Sequence, residues 1–89
     1  NALTTHLAVL EVAVVAKKDK EGLVKPKAYV VLNNVSNASV SLENELKEYV
    51  KHSLAPYKYP RWVEFVDELP KTATGKIQRF KLRDLVKTN

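Results

Sequence analysis

The sequence predicts an α+β domain in which helices cover one side of a small three-stranded sheet. Three observations predict it. Residues 9–16 (VLEVAVVA), 27–32 (KAYVVL) and 62–66 (WVEFV) are short runs rich in β-branched and aromatic residues. Apolar residues recur at helical spacing between the second and third runs and again after the third. The intervening segments are marked by Gly, Pro, Asn and Ser. The resulting order of helix, strand, strand, helix, strand, helix belongs to the α+β class.

A short helical stretch around 2–7 leads into the first run, whose apolar character is broken only by Glu11. The polar segment from Lys17 to Gly22 turns the chain. After Pro26 the second run pairs with the first as a hairpin across this longer connection, and 33–39, rich in Asn and Ser, form a loop. Ser41 is placed to cap a helix over 42–54, with Glu43 and Glu45 at its positive end and Leu42, Leu46, Tyr49, Val50 and Leu54 on one face. Pro56 and Pro60 bracket Tyr57, Lys58 and Tyr59 and stop that helix, leaving a stiff, exposed connector. Beyond the third strand, Leu69-Pro70 opens a polar loop, KTATGK. An amphipathic helix over 78–86 follows, anchored by Phe80, Leu82, Leu85 and Val86. Trp62 and Phe65 read as sheet and core residues. A sheet this small cannot enclose a large pocket. Any chemistry must lie on a surface facing something else, most simply another domain of the same polypeptide.

Composition bounds the rest. With 45% apolar residues, the 89 residues fit one compact domain, 1–89, with a modest core. Cysteine is absent, and His6 and His52 lack a ligand-like spacing, so no metal site is expected. No apolar run reaches the roughly 20 residues of a spanning helix. The opening Asn1-Ala2-Leu3 has neither Met nor the order of a signal peptide. A soluble, cytoplasmic chain whose start is truncated is expected. The net charge of +5 is uneven: seven lysines face six carboxylates over 1–56 (net +1), and eight Lys or Arg face four carboxylates over 57–89 (net +4). A basic C-terminal third attracts phosphate-bearing partners, although a solvated face has the same composition.

The segment richest in chemistry is Leu69-Pro70-Lys71-Thr72-Ala73-Thr74-Gly75-Lys76-Ile77-Gln78-Arg79. It is not a phosphate-binding P-loop, because Pro70 stands where that pattern needs Gly and Ile77 where it needs Ser or Thr. Gly75 permits backbone conformations closed to other residues, and Lys76 projects a mobile ammonium. A cation between an attacking carboxylate and an α-phosphate offsets their repulsion and stabilises charge developing on the phosphoryl oxygens. An isolated Gly-Lys pair is as readily a solvated loop, so on chemistry alone both readings stand.

The same run contains every fixed position of P-K-T-x-x-G-K-x-x-R, as Pro70, Lys71, Thr72, Gly75, Lys76 and Arg79. It resembles the C-terminal signature of the adenylate-forming superfamily. LAVLEVAVVA and KPKAYVVL resemble the first two strands of the lid domain of AMP-forming acyl-CoA synthetases, and the final third is most similar to benzoate-CoA ligases and related aryl-CoA ligases. The resemblance implies a large N-terminal domain upstream, holding the ATP-binding loops, the carboxylate pocket and the hinge. It also implies that ATP with Mg2+, coenzyme A and a small-molecule carboxylate react in two steps: formation of an acyl-adenylate and pyrophosphate, then displacement of AMP by the CoA thiol. Lys76 takes the catalytic position for the first step. Thr74, Gly75, Lys71 and Arg79 belong to the adenylate loop, Arg79 bracing it and Lys71 solvated. Tyr57, Lys58, Tyr59 and Arg61 are candidates for the nucleotide end of coenzyme A. The lid alternates between two faces, and alone it is expected to be inactive. Lys76 is also a candidate for reversible acetylation, which makes a lysine acetyltransferase and a deacetylase candidate partners. No nucleic-acid or membrane partner is expected. The rival readings are a basic nucleic-acid-binding module, which predicts salt-dependent oligonucleotide binding, and a free-standing interaction domain.

Overall fold

The computed structural model describes residues 2–52 and 60–87. A 3-10 turn over Ala2–Thr5 precedes strand β1 (Val9–Lys18) and strand β2 (Val24–Leu32). Helix α1 (Val40–Lys51), strand β3 (Trp62–Phe65) and helix α2 (Arg79–Lys87) follow. The sheet has the order β1-β2-β3, with β1 antiparallel and β3 parallel to the central β2. The predicted α+β fold with three strands is therefore present, with several boundaries moved. The first two strands are longer than expected, and β2 runs through Pro26. That residue has no N–H for the ladder, but its carbonyl accepts from the Arg61 N–H at 2.9 Å, where β3 joins the sheet.

Asp19 builds the connection between β1 and β2. Its N–H donates to the Leu23 carbonyl, its carbonyl accepts from the Gly22 N–H, and its Oδ1 accepts from the Leu23 N–H at 2.9 Å. Gly22 closes the turn at φ +81°, a torsion that costs a residue with a Cβ energy.

The helices do not share one side of the sheet, as the sequence led us to expect; they cover opposite faces. Leu3, Val9, Val12, Ala28, Val30, Leu32 and Val63 pack with Leu46 and Val50 of α1. Ala13, Val15, Tyr29 and Val31 pack with Leu69 and with Leu82 of α2. Strand β2 is accordingly buried at every position from Lys27 to Leu32, as a central strand covered twice must be. The charge of Lys27 on the second face is met by Glu64 at 2.8 Å. Burial works against that ammonium. The Glu64 hydrogen bond, with the attraction of Tyr29 and Glu64, outweighs it and raises the pKa above the ordinary lysine value.

Helix α1 is capped by Ser39, not Ser41. Ser39 has the extended backbone of a cap (φ −162°, ψ 162°), and its hydroxyl accepts from the Leu42 N–H, whereas Ser41 already lies inside the helix. With the start two residues earlier, Glu45 leaves the first turn and instead accepts from Nε2 of His6 at 2.7 Å. The Nδ1 of that ring accepts from the Ala8 N–H, which fixes the tautomer. The helix ends at Lys51, and the Leu54 anchor lies outside the described residues. In α2, Leu82 is buried and Val86 packs beside it. Phe80 and Leu85, expected as anchors, are about half exposed, because the contact stripe is only as wide as one i, i+4 pair.

Candidate functional site

Residues 69–78 form a second, shorter hairpin that leads directly into α2. Leu69 is buried beneath that helix and pins one arm, and half-buried Ile77 packs against the same cluster from the other. Between the pins, Lys71 and Ile77 pair as an antiparallel bridge, and the Gln78 N–H donates to the Pro70 carbonyl at 2.8 Å. The Thr72 N–H donates to the Lys76 carbonyl (2.8 Å) and the Gly75 N–H to the Thr72 carbonyl (3.0 Å). The Thr72 hydroxyl oxygen accepts from the Lys76 N–H at 3.1 Å and lies 3.1 Å from the Thr74 hydroxyl.

Gly75 completes the turn at φ +90°. A Cβ built there meets no atom within 4 Å, so the need for glycine is torsional, not steric. Both backbone polar groups of Lys76 are thus held by Thr72, while its side chain is exposed. No carboxylate occurs between positions 69 and 83, and among the described residues none pairs with the Lys76 ammonium. A closed backbone carrying a cation, in a turn with no carboxylate of its own, is suited to hold a phosphate-borne charge.

The predicted loop residues Lys71, Thr74, Gly75, Lys76 and Arg79 come together here, with two roles exchanged. Lys71 is not merely solvated: its ammonium lies 2.7 Å from both carboxylate oxygens of Glu11 on β1. Arg79, expected to brace the loop, is the exposed first residue of α2 and forms no ion pair among the described residues. A cation at the positive end of a helix is poorly placed for stability, and no acidic residue in that first turn compensates it. Glu11 is the residue that sequence reading passed over. The signal was there, as the lone charge in the otherwise apolar run 9–16.

The second candidate surface is elsewhere. Tyr57, Lys58 and Tyr59 lie outside the described residues. Arg61 is exposed at the start of β3, beside Pro26, near the first residues of β2. Glu11, which holds the lysine turn, pairs with Val31 near the last residues of β2. Five strand residues, about 17 Å, separate the two attachment points. Close to Arg61, the Lys17 ammonium lies 4.8 Å from the centre of the Trp62 ring. Trp62 and Phe65 are partly buried sheet residues, as expected. Among the described residues no helix is long and apolar enough to cross a membrane.

Comparison with known proteins agrees with this architecture. Residues 1–76 match the family described as AMP-binding enzyme C-terminal domain. The chain is 63% identical over 83 residues to benzoate--CoA ligase of Thauera aromatica, covering 93% of this chain and 16% of that protein. The crystal structure of a benzoate CoA ligase from Burkholderia xenovorans LB400 superposes with a TM-score of 0.82 at 61% identity, covering 92% of this chain and 17% of that one. An acyl-CoA synthetase from Brucella canis gives 0.89 at 44% identity, covering 98% and 16%. The chain thus spans about 16% of the length of the relatives it matches.

Proposed function

We propose, from the premise that this chain belongs to the family of AMP-binding enzyme C-terminal domains, that it is the mobile lid of a longer AMP-forming carboxylate–CoA ligase acting on benzoate or a similar aryl acid. The aryl preference rests on similarity to the benzoate ligases, and the acyl pocket belongs to the large N-terminal domain.

The observation that carries the reading is Lys76: an exposed ammonium on a turn closed by its own backbone, free of carboxylates. In the first step a carboxylate oxygen of the substrate bonds to the α-phosphorus of ATP, and the bond to pyrophosphate breaks. Two anions must meet, and charge grows on the phosphoryl oxygens. Lys76 offsets both, and a preformed turn needs no reorganisation to do so. Arg79 and the first-turn amides of α2 extend the same positive region. In the second step the CoA sulfur bonds to the acyl carbon, and AMP leaves. Arg61, with Tyr57, Lys58 and Tyr59, serves the nucleotide end of coenzyme A. Two attachment points about 17 Å apart on one rigid sheet favour alternate rather than simultaneous use, because a small body can turn one end to the reaction centre and then the other.

Among the described residues no group of three or more His, Cys, Asp or Glu side chains could hold a metal ion. Magnesium enters this reading only as the companion of ATP, and no step here depends on a metal ligand from this chain. The cytoplasm, where ATP and coenzyme A meet, is the proposed location. Lys76 is also the proposed acetylation site, since acetylation removes the charge the first step needs.

Exchange of labelled pyrophosphate into ATP by the full-length enzyme, dependent on the carboxylate, tests the role of Lys76. Lys76→Ala is expected to lower it on the order of 10²- to 10³-fold. An unchanged rate would return Lys76 to the status of a solvated loop residue.

A further inference from the structure

The hydrogen bonds of the lysine turn are all local, so they fix its shape without fixing where it points. Leu69 and Ile77 pin the base of its arms, and Glu11 adds the polar constraint on its direction. Between Val9 and Glu11 the pairing of β1 with β2 shifts by one residue. Val9 packs on the α1 face, and strict alternation would send 11, 13 and 15 to that face as well. After the shift, Ala13 and Val15 instead pack on the α2 face, beneath Leu69, and the Glu11 carboxylate meets Lys71 there. A bulge beside a functional site commonly re-aims one side chain, and here it re-aims a charged one.

The contact is close and partly shielded. Both oxygens lie 2.7 Å from the Lys71 ammonium, with about a third of each side chain exposed (30% for Glu11, 37% for Lys71). Lys71 is also the bridge partner of Ile77, the residue next to Lys76. A pull on Lys71 is therefore transmitted to both arms of the turn. The pair has an electrostatic consequence too. With Lys71 present, the Glu11 charge is paired; with Lys71 removed, a bare carboxylate would be left at the base of the turn.

We propose that Glu11 is a positioning residue for adenylation: through Lys71 it ties the lysine turn to β1, setting the direction in which Lys76 is presented. This rests on the reading of Lys76 given above. Single-turnover measurements on the full-length enzyme test it, with adenylation and thioester formation from supplied acyl-adenylate followed separately. Glu11→Gln is expected to slow adenylation about fivefold, the scale of a partly exposed ion pair, with KM for ATP and carboxylate unchanged and thioester formation intact. Lys71→Met should slow it further, and adding Glu11→Gln to Lys71→Met should restore part of the rate by removing the stranded carboxylate.

Equal loss in both half-reactions, or wild-type adenylation in Glu11→Gln, would overturn the proposal. If Lys76→Ala is severe while Glu11→Gln is silent, only the role of Glu11 falls; if Lys76→Ala is itself silent, the underlying reading falls. Amide exchange on the full-length enzyme reads the same pair without turnover. Glu11→Gln should speed exchange at Thr72 and Gly75 about two- to fivefold and leave Gly22 unaffected. Unchanged protection at Thr72 and Gly75 would contradict the tether.

Discussion

The turn joining β1 to β2 and the turn carrying Lys76 are closed by the same three hydrogen bonds. In each, the first residue's N–H donates to the fifth residue's carbonyl, the glycine N–H donates to the first carbonyl, and the fifth N–H donates to a side-chain oxygen of the first. Asp19 and Gly22 play these parts in one; Thr72 and Gly75 play them in the other, with the glycines at φ +81° and +90°. The fifth residue is Leu23 in the first turn and Lys76 in the second.

The differences lie in charge and in support. The first turn holds two carboxylates, Asp19 and Glu21, and caps a long β ladder. The second holds none, uses the neutral Thr72 hydroxyl where the first uses a carboxylate, and stands on a single bridge. A turn backed by a ladder needs no further anchor. One backed by a single bridge depends on Leu69, Ile77 and the Glu11–Lys71 pair. The shared backbone is thus structural, and function is read from what each turn carries and excludes.

Thr72→Asp breaks the comparison most sharply. Asp19 shows that a carboxylate can make the same bond to the fifth N–H, so the turn should survive while an anion is placed beside Lys76. Adenylation should fall on the order of tenfold with the melting temperature little changed. Wild-type adenylation would show that the absence of carboxylates is incidental.

Next come the glycines. Gly22→Ala and Gly75→Ala should each destabilise the chain by about 1 kcal/mol in chemical denaturation, because at both sites the added Cβ meets no atom and only the torsion is strained. A much larger cost at one site would mean that the turns are not equivalent.

The smallest effect contrasts two of the long-range ion pairs, Lys27–Glu64 and Glu11–Lys71. Lys27 is buried, and its pKa is raised in the folded chain. Its stabilisation is therefore fully present below the ordinary lysine pKa of about 10.4 and is lost as the pH rises through the folded value. Denaturation midpoints should show an alkaline loss of under about 1 kcal/mol that Lys27→Met removes and Lys71→Met leaves in place. An identical alkaline loss in Lys27→Met would assign it to another group.

What the sequence made legible follows from how local each feature is. The strands, both helices and the lysine turn are local patterns, and all were readable. The two-sided covering of the sheet was present as six consecutive buried positions in β2, but a single apolar run does not say which helix covers which face. Ser41 was the expected cap, and the backbone torsions assign that role to Ser39, a residue of the same type two positions earlier. Phe80 and Leu85 are apolar yet half exposed, because one packed stripe satisfies so short a helix. Glu11 was least legible. Its partner Lys71 is 60 positions away, and its aim depends on a one-residue register shift.

In the proposed function, Lys76 serves one of the two half-reactions and not the other. The most direct measurement compares wild type with Lys76→Ala in the full-length enzyme, timing acyl-adenylate formation and, from supplied acyl-adenylate, thioester formation. Adenylation is expected to fall by orders of magnitude with thioester formation largely retained. Equal activity in both, or equal loss in both, would contradict it.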